Sequence, residues 1–226
     1  MAKNKGKNNN DINVGEVYTK TEQFVDKNSK ALTYIISGAA ILIIGVIGFK
    51  TLVLDPSNSQ AEEAIFTAEH YFSKDSIDLA LYGDGFSDGL IAIMENHSGT
   101  YAASRASYQV GIAHRDMGMF EEAIKAFKNV DLSDDVIAAY ALTGIGDCYT
   151  DIGDYAAAEG SFEDAADLAD GGLAHAILAP SIHYKRALVL IELDRVSDAK
   201  KALAHIISDH PESKYKETAE ALNAAL

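Results

Sequence analysis

Few residues in this sequence could carry out chemistry, and they do not form a catalytic pattern. The 226 residues include a single cysteine, Cys148, and seven histidines. There is no GxxxxGK[ST] phosphate-binding loop, no HExxH zinc motif and no CxxC pair. A GxG at residues 144–146 lies in a helical pattern and follows no predicted strand, which argues against a nucleotide site. We therefore predict that the protein is not an enzyme and has no cofactor.

The histidines are potential nitrogen ligands for zinc. The pairs His175/His183 and His205/His210 are eight and five residues apart, and neither spacing suits a metal ion on one face of a helix. We predict surface or helix-capping roles for them and no metal site. Cys148 follows a small glycine in a helical pattern, so we predict a buried side chain, with a reactive thiol or a dimer cross-link as the alternatives.

The net charge of −15 is unevenly distributed along the chain. Residues 1–30 contribute +2 and Lys50 contributes +1, which leaves −18 on residues 51–226. Such an acidic surface repels phosphate backbones and anionic lipid headgroups, so nucleic-acid binding is not expected.

Residues 31–54 read ALTYIISGAAILIIGVIGFKTLVL and form an apolar run suited to lipid. At about 1.5 Å per helical residue the run spans about 36 Å, enough to cross a hydrocarbon core of about 30 Å. A cleaved signal peptide is the alternative, but thirty residues precede the run, and it is longer than the apolar part of a signal peptide. Lysines before the run and acids after it predict a cytoplasmic N-terminus.

The predicted organisation is therefore a cytoplasmic tail at residues 1–30, a transmembrane helix at 31–54 and an exported domain at 55–226. Residues 1–15 are polar and predicted to be disordered, and residues 15–30 suggest a short interfacial helix or a docking peptide. The sequence DPSNS at residues 55–59 predicts an interruption, with Ser59 and Glu62 as a capping box for the next helix.

Self-similarity organises the exported part. The pattern GxxHxxxGxFxxAxxxF at residues 111–127 recurs as GxxYxxxGxYxxAxxxF at 146–162, and a looser copy occupies 187–203. A period near 35 with small residues where two helices meet is typical of tetratricopeptide repeats. The clearest repeats are predicted at about 104–138, 139–179 and 180–213. The fold class is thus all-α, with one N-terminal transmembrane helix followed by a tetratricopeptide-repeat α-solenoid.

Flanking segments complete the predicted array. A longer loop is expected near residues 170–175, and Pro180 suits the first turn of the following helix. Residues 61–72 and 89–96 suggest a degenerate first repeat, and residues 212–225 a capping helix.

The whole chain resembles the YfgM-like family. The features that carry the resemblance are the N-terminal tail, the sequence FVDKNSKAL at residues 24–32 where the membrane span begins, the single span itself and about three tetratricopeptide repeats. An LYGDG turn at 81–85 is similar to one in a group of such proteins. The resemblance implies a bitopic inner-membrane protein of a Gram-negative bacterium. It further implies association with the SecYEG channel and a PpiD-type periplasmic chaperone. A structural subunit of another cell-envelope complex is the alternative.

The concave face of the first helix in each repeat is the predicted partner-binding groove. Aromatic side chains with a few charges suit an extended or helical peptide, although some tyrosines could instead pack on the neighbouring helix. The predicted groove residues are Arg105, Tyr108, Ile112, Arg115, Tyr140, Thr143, Asp147, Asp151, Tyr184, Leu188 and Glu192. In the membrane run, Gly38, Gly45 and Gly48 lie close to one helix face and suggest a packing surface, with a plain anchor as the alternative.

Overall fold

The computed structural model describes residues 14–172 and 174–226, and it divides the chain into two units, one up to Val53 and one from Leu54 to Leu226. All regular structure in the described residues is helical. A π-helical turn occupies Lys50–Leu54. The α-helices are α1 (Val14–Phe49), α2 (Asp55–Ser73), α3 (Ile77–Tyr82), α4 (Leu90–Asn96), α5 (Tyr101–Asp116), α6 (Phe120–Phe127), α7 (Asp135–Ile152), α8 (Tyr155–Gly171), α9 (Ala179–Glu192), α10 (Val196–Asp209) and α11 (Lys216–Ala225).

The first unit is the long helix α1. Its apolar side chains from Tyr34 to Phe49 are largely exposed within the unit, so they have no protein core to join. By length and composition, this is the helix among the described residues that could cross a membrane. The predicted segment 15–30 is helical and continuous with the apolar run. The disorder prediction concerns residues that are not described, except Val14 and Gly15, which begin α1.

The interruption predicted at residues 55–59 is absent, because these residues form the first turn and a half of α2. Ser59 is therefore inside the helix and does not begin it. Pro56 is the second residue of α2 and directly follows the π-helical turn. The π-helical turn immediately before it changes the hydrogen-bond pattern at this point.

The second unit begins with α2, α3 and α4, which pack against α5 around buried apolar side chains such as Ile65, Leu81, Leu90 and Ile93. The degenerate repeat predicted here contains three helices. The turn at residues 83–89 is tight. A Cβ on Gly83, whose φ is +82°, would lie 2.2 Å from the Ser87 carbonyl oxygen, so only glycine fits without strain.

Three helix pairs follow, α5/α6, α7/α8 and α9/α10, and each first helix packs closely on its second. A Cβ on Gly111 would lie 2.5 Å from the Phe127 ring, and a Cβ on Gly146 would lie 2.7 Å from the Phe162 ring. Both phenylalanines are fully buried. The repeated glycine therefore makes room for the repeated aromatic ring, as the sequence pattern predicts.

The helix ends follow local rules. Thr100, Asp134 and Asp154 accept hydrogen bonds from the first backbone N–H groups of α5, α7 and α8, at 3.0–3.1 Å for the shortest in each case. Gly118 and Gly153 have positive φ at the turns inside the first two repeats. In the third repeat Asp194 takes the same conformation with φ 57°.

The third repeat is tied to the second by ion pairs. The Glu159 side chain of α8 is 90% buried and lies 2.9 Å from Arg186 of α9 and 3.2 Å from Arg195 before α10. The longer connection lies between the end of α8 and the start of α9, with Pro180 in the first turn of α9. Helix α11 packs on α10, which is the capping position predicted for residues 212–225.

Candidate functional site

The first helices of the three pairs, α5, α7 and α9, line a cleft of about 280 Å³, here called the A-helix cleft. Six of the predicted groove residues line it, and so do six residues that the sequence analysis did not select. The predicted six are Tyr108, Ile112, Arg115, Tyr140, Thr143 and Asp147. The other six are Phe127 at the end of α6, Gly144 on α7, Leu178, Ser181 and Lys185 from the α9 region, and Tyr215 before α11.

Two aromatic side chains form one wall of the A-helix cleft. The Tyr108 and Tyr140 rings lie 6.0 Å apart at 51°, and Tyr108 also packs on Phe127 at 5.9 Å. Tyr140 remains 40% exposed. Burial raises the pKa of Tyr108 above its ordinary value, and the neighbouring Tyr140 raises it further, so its hydroxyl stays protonated at neutral pH. The pair presents aromatic surface with polar hydroxyl groups.

Charged side chains cross the A-helix cleft. Lys185 on α9 donates to both carboxylate oxygens of Asp147 on α7 at 2.6 Å. Arg115 on α5 lies 3.6 Å from the same carboxylate. The predicted Asp151 lies beside these three residues in an adjoining depression of about 440 Å³. Opposite charges on successive helices therefore lie within reach of a bound peptide.

Arg105 has a different setting. Its guanidinium group contacts Glu62 at 2.9 Å and Glu69 at 3.0 Å, both on α2. Burial alone would lower its pKa, but the hydrogen bonds to Glu62 and Glu69 raise the pKa above its ordinary value. Arg105 also lines a depression on the other side of Tyr108 and Tyr140. Its charge is already engaged by the N-terminal part of the unit.

The third-repeat residues in the predicted set do not line the A-helix cleft. Tyr184 packs on Tyr215 with ring centroids 5.5 Å apart, while Leu188 and Glu192 are exposed elsewhere on α9. The Tyr184–Tyr215 contact resembles the Tyr108–Tyr140 contact. Tyr108 on α5 packs on Tyr140 of α7, and Tyr184 on α9 packs on Tyr215, which immediately precedes α11. Tyr215, the residue just before α11, thus faces the cleft in place of Tyr184.

The glycines of α1 are open in the structure. A Cβ at Gly38, Gly45 or Gly48 would meet no atom within 4 Å, leaving out the helix's own nearby backbone. The strip is therefore available to another helix, and its role as a packing surface stays a prediction.

Cys148 is fully buried, and burial raises the pKa of its thiol to about 11. This agrees with the predicted buried role.

One catalytic pattern was missed in the sequence. Residues 85–89 read GFSDG and match the GxSxG string of a nucleophile elbow. An elbow requires a strand before the serine, and the described residues contain no strand. Ser87 lies instead in the loop between α3 and α4, where its backbone N–H donates to Asp84 at 2.7 Å. The Tyr71 hydroxyl donates to the same carboxylate at 2.9 Å, so hydrogen bonds to Asp84 hold the conformation of this loop.

The structure brings together histidines that the sequence analysis treated as separate pairs. His175, His183, His205 and His210 surround the Asp170 carboxylate at the α8–α9 end of the unit. The missed signal was their density, because four of the seven histidines fall between residues 175 and 210. The prediction of surface or capping roles is wrong for His183, which is 5% exposed and lies inside α9. His210 is also buried, but it occupies the C-cap position of α10, which is the capping alternative.

Comparison with known proteins agrees with the helix pairs. Tetratricopeptide repeat models match residues 139–170, which cover most of α7 and α8, and residues 183–213, which cover most of α9 and α10. No curated protein matches the chain. Tetratricopeptide domains are typically protein-interaction modules without catalytic activity. The second unit therefore contains tetratricopeptide repeats, with a third helix pair built in the same way, and the described residues are all-α with an apolar N-terminal helix.

Proposed function

We propose that this protein is a membrane-anchored, non-enzymatic scaffold that binds a protein partner in the A-helix cleft. The observation that supports this proposal is the composition of the cleft. Half-exposed aromatic rings and paired charges from the first helices of three successive repeats converge there. Rings of this kind supply contact area at low entropic cost, and tyrosine is enriched among residues that dominate binding energy. An extended or helical peptide segment is the ligand that best suits this row of helices.

The anchor in this proposal is α1, which crosses the membrane with its N-terminus in the cytoplasm. Its support is the long apolar surface of α1 and the excess of lysine before it. The second unit then lies in the periplasm. In this arrangement the Gly38, Gly45 and Gly48 strip faces a membrane partner, and the cleft faces a soluble one.

The partners we propose are a SecYEG-type channel in the membrane and a PpiD-type periplasmic chaperone. The support is the resemblance of tail, anchor and repeats to the YfgM-like family. The tetratricopeptide repeats indicate protein partners in general, and the identity of these two partners rests on the resemblance alone. The protein would act as an ancillary subunit linking the channel to periplasmic chaperones.

Tyr140→Ala tests the cleft. The side chain is exposed at the cleft wall, so its loss removes contact area with a small effect on folding. Partner affinity should fall about 5- to 30-fold, which corresponds to about 1–2 kcal/mol. The measurement is co-purification in mild detergent followed by titration with the captured partner. Tyr82→Ala is the matched control, because Tyr82 is an exposed tyrosine on α3 outside the cleft.

Each result separates a different part of the proposal. Equal partner capture by the Tyr140→Ala and Tyr82→Ala variants would refute binding in the A-helix cleft. Capture without Sec channel subunits would leave the cleft in place and refute the translocon partner. A C-terminal alkaline phosphatase fusion that stays inactive in cells would refute the periplasmic location.

A further inference from the structure

Five side chains from separate segments converge at the junction of the second and third repeats. Asp170 is in the last turn of α8, His175 is in the connection to α9, and His183 is on α9. His205 is on α10, and His210 follows it. Together they are called the histidine cluster. No two of its residues are neighbours in sequence, so the packing of α8, α9 and α10 creates it.

Asp170 is the centre of the histidine cluster, and its two oxygens have different surroundings. His183 Nε2 lies 3.0 Å and His205 Nε2 lies 3.1 Å from Asp170 Oδ2. The His183 contact is a hydrogen bond, and His205 lies within ion-pair distance of the same oxygen, so both imidazoles lie against one side of the carboxylate. On the other side, His175 Nδ1 lies 3.7 Å from Asp170 Oδ1, which is too far for a hydrogen bond.

Five buried nitrogen and oxygen atoms of the histidine cluster have no hydrogen-bond partner in the described part of the chain. His183 Nδ1 and His205 Nδ1 are two of them, and the other three could serve together as metal ligands. Asp170 Oδ1, His175 Nδ1 and His210 Nε2 have no solvent contact and no hydrogen bond within the described part of the chain. Asp170, His175 and His210 can each place a ligand atom within 4.8 Å of the other two, and the His175 and His210 ring centroids are 4.4 Å apart. Buried polar atoms almost always have partners, so a group of three unsatisfied ones needs an explanation.

We infer that Asp170, His175 and His210 bind a divalent transition-metal ion of the Zn²⁺ class, with His183 and His205 as outer partners of the Asp170 carboxylate. Two imidazole nitrogens and one carboxylate oxygen are a donor set that Zn²⁺ accepts, whereas Ca²⁺ and Mg²⁺ prefer oxygen alone. Ligands at 2.0–2.2 Å in a tetrahedron lie about 3.4 Å apart, so small side-chain shifts would bring the three atoms into place.

The surroundings of the histidine cluster fit this assignment. The charged groups around the cluster are Asp170, Asp209, which lies 3.5 Å from His205, and Arg186 near His183. The His175 side chain is 43% exposed, which leaves a side open to solvent for ion entry and for water as the fourth ligand.

A bound ion would fasten the α8–α9 connection to the end of α10. The connection is the long insertion of the array, and His175 is its donor to the ion. Because an ion that binds only the folded chain stabilises it, Zn²⁺ should raise the Tm of the protein. The ion would thus act as a structural clamp between the second and third repeats.

The test uses the full-length protein in detergent, purified with an affinity tag that contains no histidine and stripped with a chelator. ZnCl₂ is then added, and bound zinc per chain is measured by equilibrium dialysis and elemental analysis. We expect one Zn²⁺ per chain and a Tm rise of about 5–10 °C at a free concentration near 100 times the Kd. Co²⁺ added to the stripped protein should give the visible absorption of nitrogen-ligated cobalt.

His175→Gln is the decisive variant, because this partly exposed side chain lies in a connection and its loss leaves the helix packing intact. Loss of an outer partner alone weakens metal binding about 10–100-fold, so loss of this ligand should weaken it at least about 100-fold. His205→Gln should weaken it about 10–100-fold. His70→Gln is the matched control, since His70 is exposed on α2, away from the cluster.

Two results would overturn the inference. One is a wild-type protein that binds no more Zn²⁺ than the His175→Gln variant. The other is equal zinc affinity in the His175→Gln and His70→Gln variants. Either result would rule out a metal site that uses His175. Far-ultraviolet circular dichroism of each variant confirms that the helices are intact, and the Co²⁺ spectrum of the wild type gives a readout that does not depend on any variant.

Discussion

Replacing Gly146 by alanine tests the packing rule of the repeats. The added Cβ would lie 2.7, 2.8 and 2.9 Å from three atoms of the Phe162 ring. The shortest of these distances is 0.7 Å below the 3.4 Å at which ordinary contact begins. Phe162 is 1% exposed, so the ring has no open space to enter. Overpacking of this kind costs about 1–3 kcal/mol.

The gain in helix propensity opposes this cost. Alanine favours the helix over glycine by about 1 kcal/mol, so the Gly146→Ala variant should lose about 0–2 kcal/mol of unfolding free energy. Gly160→Ala is the matched control, because Gly160 lies inside α8 with no atom within 4 Å of an added Cβ. That variant should gain about 1 kcal/mol. The propensity terms cancel in the comparison, which isolates the overpacking cost.

Thermal unfolding followed by circular dichroism provides the measurement. One kcal/mol corresponds to about 2–4 °C for a domain of this size, so Gly146→Ala should melt about 2–12 °C below Gly160→Ala. Equal Tm values for the two variants would show that Phe162 can move away at no cost. The close approach of α7 and α8 would then not explain the repeated glycine.

Three further predictions concern burial, reactivity and the membrane helix. Replacing Glu159 by glutamine leaves Arg186 with a weaker partner in a largely buried position and should cost about 2 kcal/mol in urea unfolding, and an unchanged midpoint would contradict this. Cys148 should resist alkylation at pH 8 and react only in denaturant, since its thiol is buried with a pKa of about 11, and rapid labelling of the folded protein would refute it. Replacing Gly38 and Gly45 by leucine should release a membrane partner while the helix still inserts, and unchanged co-purification would leave α1 a plain anchor.

Local rules predicted much of the fold. The glycine in the first helix and the aromatic residue in the second are set by close packing at one repeat's distance, and the structure shows Gly111 against Phe127 as expected. Asp134 caps α7 through backbone N–H groups two and three positions along the chain, a contact that depends on local sequence alone. The start of α2 was predicted wrongly, because the helical structure continues through a π-helical turn and past Pro56 without an interruption.

The candidate sites were only partly predictable, because they depend on how helices pack. Repeat positions on the first helix of each pair predicted six residues of the A-helix cleft but missed Lys185. The position of Lys185 depends on the packing of α9 against α8. The histidine cluster joins residues 170 and 210, which are forty positions apart. A search for metal ligands on one helix face has no access to such a contact, since no single helix contains it.

The ion pairs of the A-helix cleft have a mechanical consequence. Arg115, Asp147 and Lys185 link three successive helices in one row, so they oppose any change in the angle between neighbouring repeats. These side chains are partly exposed, so each pair is weak and sensitive to dissolved salt. The resistance of these repeats to bending should therefore fall as ionic strength rises. A ligand that binds the Asp147 carboxylate would compete with Arg115 and Lys185 for it and would lower the same resistance. Ligand binding and bending of the array are thus coupled through one carboxylate.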